Sequence, residues 1–519
     1  MGKLYRILAF LLFAVPVAAK DFYIAQKAAG NGSGLNGCTN ASTPAWFNNS
    51  ASWGTGALQI GPGTTVHLCG TFTGTPGQQL LTAKGNGTST SPITIKFEAG
   101  AKLTAPYWAW SGAINAANRS YIVIDGGGSG LIQNTASGTN LTYKQDTRAI
   151  YAGSCFGCVV KNLTIANMYV HTSVSDTAVH QNAANCVHWL ASDNFTIHNV
   201  TCHDAGWAFS GYGNNFTLEY SNVYNVDHGL AFGASGTNSN FSIHDNHIHG
   251  YVNWDTTTNA YHHDGLHIWG RNGGVVTNGV IYNNLFDGDS GVNITGHIYL
   301  QDSVKYVSVY NNVFIVPSTR YNNVLWFNGQ TDSTPLPGGP ATGNSAYNNF
   351  ISAGMHTRGT AMYVNAQYNF SALNNVLMGG QSDITIQTGG TRSSAGIDHN
   401  IYLQLADYGD RNTFGYQSAV YQTLAQWQQA CGCDAHSKIV SASQINTGSM
   451  GQPLSGSVLI GSASNLINFA KATLSTLAND KLGVARQLAG SWDVGAYRYQ
   501  STYVALKPAS PGSVTATIQ

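Results

Sequence analysis

The chain has 519 residues, 43% of them hydrophobic and only 9% charged, and its 23 basic and 23 acidic residues give zero formal net charge. With no basic run, it lacks the electrostatic footprint that nucleic acid or an anionic membrane surface requires, and a highly charged polyanionic substrate is disfavoured. Gly reaches 60, alongside abundant Asn, Thr and Ser, which points to short strands joined by tight turns and excludes a helical or disordered chain.

Residues 1–19 read as an export signal. Lys3 and Arg6 precede the apolar run Ile7 to Val17, and Val17-Ala18-Ala19 offers small residues for cleavage. A membrane anchor needs about 20 apolar residues. This run is shorter and no later one reaches that length, so the mature chain is expected to be soluble and secreted, extracellular or periplasmic.

Residues 20–120 read as an N-terminal cap with the first coils. Asp21-Phe-Tyr-Ile-Ala25 is a strand, Ile60 to Leu68 a turn and strand, and Pro92 to Phe97 another strand.

From 121 to 400 the sequence repeats itself. Asn162-Leu-Thr-Ile165, Asn194-Phe-Thr-Ile197, Asn215-Phe-Thr-Leu218 and Asn240-Phe-Ser-Ile243 share one pattern, and rungs ending in Asn283-Asn284, Asn311-Asn312, Asn348-Asn349 and Asn374-Asn375 vary it. Each unit alternates apolar and polar residues and then turns at Asn or Gly. A second strand follows, as in Trp207-Ala-Phe-Ser, Leu230-Ala-Phe-Gly, Leu266-His-Ile-Trp, Ile298-Tyr-Leu-Gln and Val324-Leu-Trp-Phe. Strands this short cannot bury an apolar face alone, but stacked in parallel at about 4.8 Å per coil they can. The fold class is therefore all-β, a right-handed parallel β-helix solenoid. Many of the asparagines, Asn162, Asn194, Asn199, Asn215, Asn240 and Asn293, stand in N-x-S/T sequons. They read as turn residues bonded along the stack rather than as glycosylation acceptors.

Residues 401–500 break the pattern and read as a C-terminal cap or flank. Tyr421 to Ala430 is the best helix candidate, with Tyr421, Leu424, Trp427 and Gln428 on one face and Gly432 as its stop. Residues 501–519 read as a loose tail. The eight cysteines are an even number in an exported chain, which favours disulfides. Cys38 with Cys69 and Cys186 with Cys202 are the expected pairs. Cys155-Phe-Gly-Cys158 and Cys431-Gly-Cys433 are open to redox or zinc readings as well, although no thioredoxin-like context surrounds them.

The opening Pro-Gly-Thr-Thr-Val-His-Leu68 segment, the Asn-Asn coils, Leu424-Ala-Gln-Trp427 with Asp434-Ala-His-Ser437, and the closing Trp492-Asp-Val-Gly-Ala-Tyr497 together resemble the pectate-lyase-like superfamily, in particular bacterial secreted β-helix repeat proteins. The resemblance covers nearly the whole mature chain. It implies the solenoid fold and carbohydrate chemistry without choosing a reaction, because that superfamily includes lyases, hydrolases, epimerases and phage spikes. The Asn-Thr-Asp, Asp-Asp, Gly-His-Gly and Arg-Ile-Lys motifs of its polygalacturonase-like members do not stand in this sequence.

Most of the histidine lies between 198 and 267. Asp204-Ala-Gly-Trp207, Asp227-His-Gly-Leu230 and His263-Asp-Gly-Leu266 each precede a second strand by the same step, which stacks Asp204, Asp227, His228, His263 and Asp264 on successive rungs. With Leu266 and Ile268 inward, His267 faces out, and Ala208, Ala231 and Tyr299 are its expected counterparts. Trp254, Tyr261, Trp269 and Tyr299 offer flat faces for sugar rings, and Arg271 is the one nearby cation for an acidic sugar.

Such a strip permits general acid and base work on a glycosidic bond, two carboxylates dividing the roles. No metal-ligand spacing stands out. Calcium on Asp204, Asp227 and Asp264 is the one cofactor the strip admits, and would serve a lyase or epimerase. The plain alternative, Asp closing a turn before Gly, fits Asp204 best and His262-His263-Asp264 least. The expected function is a secreted polysaccharide-cleaving enzyme, acting as a monomer, a hydrolase ahead of a lyase. A non-catalytic carbohydrate-binding or adhesion solenoid is the other reading.

Overall fold

The computed structural model describes residues 20–138, 141–169, 183–233, 236–250, 263–270, 274–289, 294–316, 323–329, 338–353, 359–379, 382–387, 396–403 and 414–502. Strand pairing is parallel from coil to coil, and three strand positions recur. The first runs through Lys20–Ala25, Thr64–Cys69, Ile93–Phe97 and Ile122–Asn134, and continues to Val275–Tyr282, Val304–Tyr310 and Ser371–Leu373. The second includes His247–His249, Leu285–Asp287, Val313–Val316, Phe350–Ala353, Val376–Met378 and Ile401–Leu403. The third runs from Thr147–Tyr151 and Ala184–Trp189 through His263–Gly270, Ile294–Asp302, Asn323–Asn328 and Thr360–Asn365 to Phe414–Tyr416. This is the expected right-handed parallel β-helix, wound in the hand that parallel crossovers take. Its interior is a column of Ile, Val, Leu and Phe contributed by alternate residues of every strand.

Asparagine holds the corners, as the repeat predicts. In each Asn-Asn pair the first residue adopts the left-handed conformation, with φ of 56° at Asn283, 53° at Asn311, 49° at Asn348 and 63° at Asn374. The second turns inward and is fully buried. There the amides of Asn246, Asn284, Asn312, Asn349, Asn375 and Asn400 donate one to the next at 3.0–3.1 Å. The sequon asparagines also bond from coil to coil, Asn194, Asn215 and Asn240 on another corner and Asn162 with Asn199 on the Asn-Asn corner itself. Asn240 donates to Asn215 at 3.2 Å, Asn215 to Asn194 at 2.9 Å and Asn199 to Asn162 at 2.9 Å, all with positive φ. Asn293 lies outside the described residues.

The ends are closed differently. The short helix Pro44–Asn48 puts Phe47 over the first coil, edge-on to Trp53. At the other end the helix spans Leu424–Cys431 and stacks Trp427 on Phe414 at 5.3 Å. It starts three residues later than the apolar spacing predicts. Thr423 caps it, accepting from the Gln426 N–H, so Tyr421 remains in a preceding strand, while Gly432 stops it in the left-handed conformation as expected. Residues 441–500 fold back along the side of the stack. Leu459, Ile467, Leu477, Trp492 and Val494 there pack against Tyr310, Phe350, Val376 and Ile401 of the coils.

All eight cysteines are paired. Cys38–Cys69 and Cys186–Cys202 form as expected, and the open pairs Cys155–Cys158 and Cys431–Cys433 are disulfides too. Among the described residues no helix is long and apolar enough to cross a membrane.

Candidate functional site

The third strand position gathers the chemistry. His228 lies in register with Asp264, Leu230 with Leu266, and Ala231 with His267. Because Leu266 and Ile268 enter the core, His267 sits on the outer side, 8% exposed, while Asp227, His228, His263 and Asp264 are fully buried. The alternation rule therefore places His267 as predicted. Its counterpart two rungs down is Ser210, not Ala208, because Phe209 rather than Trp207 aligns with Leu230.

The same two-residue offset removes Asp204 from the strip. Ala205 pairs with Val226, so Asp204 sits at the level of Asn225, two residues short of Asp227. It is a corner residue at φ 54°, accepting from the Asn225 amide and facing Nδ1 of His203 at 2.6 Å. Its Asx-turn reading is the one its position fits. The calcium set of Asp204, Asp227 and Asp264 consequently does not share one register, and both Asp227 oxygens already face imidazoles.

Asp227, His228, His263, Asp264 and His267 do come together, as one chain of contacts. Nδ1 of His263 lies 2.7 Å from Oδ1 of Asp227, and Nδ1 of His228 lies 2.7 Å from Oδ2 of the same carboxylate. The Trp207 indole N–H adds a bond to Oδ2 at 3.2 Å. On its far side His228 presents Nε2 to Oδ2 of Asp264 at 3.3 Å, and the same oxygen is 3.7 Å from Nδ1 of His267. The Gly296 N–H fixes the other Asp264 oxygen at 3.0 Å, and Nε2 of His267 faces Oε1 of Gln301 at 2.9 Å.

Burial alone would push the Asp227 carboxyl up, but the charges and hydrogen bonds of His228 and His263 outweigh it and bring it down to about 2. Burial alone would likewise strip His228 of its proton. Asp227 and then Asp264 reverse this and raise it to about 9. The centre is the buried His228 imidazole held between the carboxyls of Asp227 and Asp264, with His267 at its surface end. His228, Asp264 and His267 also bring one potential ligand atom each within 4.8 Å of one another, the set here that could hold a metal.

Around this centre the outer residues form a row that sequence inspection found only in part. Tyr151, His188, Ser210, Ala231, His267, Tyr299, Trp326 and Tyr363 follow one another in register. His267 stacks on Tyr299 at 4.9 Å, Tyr299 meets Trp326 at 4.6 Å, and Trp326 meets Tyr363 at 5.6 Å. Eight rungs at about 4.8 Å give the row a length of roughly 34 Å. Trp269 flanks His267 at 4.7 Å and Trp207 at 6.2 Å. Two positions along each strand runs an amide row, Gln301, Asn328 and Asn365, with Asn365 donating to Asn328 at 2.9 Å and Asn328 to the Tyr299 hydroxyl at 3.0 Å.

Of the residues expected to contact substrate, Trp269 and Tyr299 lie beside His267, whereas Trp254, Tyr261 and Arg271 lie outside the described residues. Trp326 and Tyr363 extend the row beyond the residues the sequence singles out; the signal for Trp326 lies in the rung Val324-Leu-Trp-Phe, where pairing Leu325 with Ile298 puts Trp326 beside Tyr299.

No protein-family model matches the sequence and no curated protein matches it. Solved structures similar to the chain include pectate lyase Pel9A, at 12% identity over 93% of this chain and 96% of that one with a TM-score of 0.46. A second is the Streptococcus pneumoniae surface protein and adhesin PfbA, at 14% identity over 70% and 91% with a TM-score of 0.40. A third is an exopolygalacturonase from Thermotoga maritima, at 12% identity over 65% and 80% with a TM-score of 0.33.

Proposed function

We propose that the protein is a secreted enzyme that cleaves glycosidic bonds in a polysaccharide lying along the aromatic row, with His267 moving the proton and Asp264 behind it. The observation that carries this reading is the placement of a buried, charged Asp-His-Asp chain at one rung of an outward row of stacked rings. Rings spaced from coil to coil along the solenoid axis suit the flat faces of successive sugars, and the amide row beside them suits their hydroxyls. Charge held in a dry site acts strongly on a reacting oxygen without reorganising.

In this reading the roles differ from a simple division between two carboxylates. Asp227 is committed to two imidazoles and an indole, so it positions His228 and His263 and does not attack. Asp264 accepts from His228 and faces His267, so it tunes His267 as the group that touches substrate. Hydrolysis remains the first assignment, with His267 protonating the leaving oxygen or activating water. Elimination is the second, favoured by the single proton-transferring group at the surface beside a cationic His228. The paired cysteines suit an oxidising, extracellular setting.

The test is digestion of a panel of polysaccharides by the wild type and His267→Gln, reading reducing ends together with the ultraviolet absorbance of unsaturated uronates. Reducing ends without absorbance, lost in His267→Gln while the glycan is still retained, is the expected result. Absorbance growing in step transfers the assignment to elimination. Retention of glycan without any cleavage by the wild type would replace the enzyme with a binding solenoid.

A further inference from the structure

A second group of histidines lies at the second strand position, apart from the row just described. The strand His247–His249 buries Ile248 in the core, which turns both neighbouring imidazoles to the outside. Their rings lie face to face, 4.0 Å between centroids and 18° between planes. One coil further on, Asp287 stands directly in register with His249, and its Oδ1 lies 2.7 Å from Nε2 of His247. One coil back, Oδ1 of Asn222 lies 3.1 Å from Nε2 of His249, and Tyr224 stacks on that ring at 5.1 Å. All three of His247, His249 and Asp287 are half-buried, so the group is both shaped and reachable.

We infer that His247, His249 and Asp287 form a binding site for a first-row divalent transition metal of the zinc type. The chemistry of the donors points there. Two imidazoles and one carboxylate form a set suited to zinc and its neighbours rather than to calcium, which takes oxygen ligands. The three offer one ligand atom each, all within 4.8 Å of one another. Asn222 supplies the outer support that metal-bound histidines use: an Nε2–H donated to its oxygen fixes the His249 tautomer and leaves Nδ1 as the ligand atom. An ion pair between His247 and Asp287 accounts for those two residues, and His249, held flat against His247 by Tyr224 and Asn222, brings a third donor to the same spot. Two imidazoles at that spacing repel if both are protonated, whereas a shared metal ion uses both.

Bound between adjacent coils, the ion would pin strands at the middle of the stack, and its affinity adds to folding stability. Among the described residues, the other groups with comparable donors are His228 with Asp264 and His267, and Asp398 with His399 and His436. The test is therefore made in the full mature chain carrying His267→Ala and His436→Ala. After chelator treatment, this background is titrated with Co2+ and Zn2+, following visible absorption and calorimetry. The expected result is saturation at one equivalent, lost on adding Asp287→Asn or His249→Gln, and weakened about tenfold by Asn222→Ala. Failure of the background protein to bind either ion overturns the site, and so does one-equivalent binding that survives both Asp287→Asn and His249→Gln. The background itself decides the matter if a ligand variant does not fold.

Discussion

The Nδ1–H of His228 donates to Oδ2 of Asp227 across 2.7 Å, with neither side chain reaching solvent. A pair like this owes its existence to each partner. Removing one strands the other as an uncompensated charge or forces it to change protonation. Asp227→Asn is therefore expected to cost about 3 kcal/mol or more of unfolding free energy in a denaturant titration. A cost below about 1 kcal/mol would show that the pair is solvated in solution.

The same pair sets a pH window. His228 is raised from 6.5 to about 9, so its contribution is complete below pH 6.5 and is lost as pH rises through about 9. Asp227 is lowered from 3.8 to about 2, so its contribution is complete above pH 3.8 and is lost as pH falls through about 2. Thermal denaturation across pH should show a plateau between these inner limits, with a fall on the alkaline side that Asp227→Asn removes. An alkaline limb unchanged in the variant would assign it to other groups.

Trp326 lies two rungs from His267, the proton-transferring group, and one from Tyr299. Replacing it with Ala is expected to raise KM for the polysaccharide about threefold to tenfold with kcat little changed, since ring stacking is worth about 0.5–1.5 kcal/mol. A drop in kcat at constant KM would place Trp326 in the chemistry instead.

Asn312 serves the stack rather than the site. Its side chain donates to the Ile281 carbonyl at 2.9 Å and to Asn349 Oδ1 at 3.1 Å, while its oxygen accepts from Asn284 at 3.0 Å. Asn312→Leu removes one hydrogen bond from each buried amide above and below and leaves the Ile281 carbonyl short of a donor, at about 1–3 kcal/mol for a buried group left unsatisfied. We expect a loss of about 3 kcal/mol measured by chemical denaturation. A comparable loss in Asn278→Ala, an exposed corner residue at φ 56°, would point to turn geometry rather than the ladder.

Sequence alone carried the fold far. Alternating apolar residues, a recurring Asn corner and a near absence of charge allow little other than stacked short strands, because each unit exposes an apolar face that only another unit can cover. Cys186 with Cys202 was legible for the same reason, being about one coil apart. The outward face of His267 followed from Leu266 and Ile268 beside it. What sequence could not decide was register. Asp204 and Asp227 share a local motif, yet the coil between them shifts the pairing by two residues, so one becomes a corner and the other the buried partner of two imidazoles. Side chains on neighbouring coils meet only through that pairing, and the insertions between rungs hide it. The sequence motif brings Asp227, His228, His263, Asp264 and His267 to one strip, and tertiary structure alone removed Asp204 from it, linked the other five through specific contacts, and set His247, His249 and Asp287 together on another strand position.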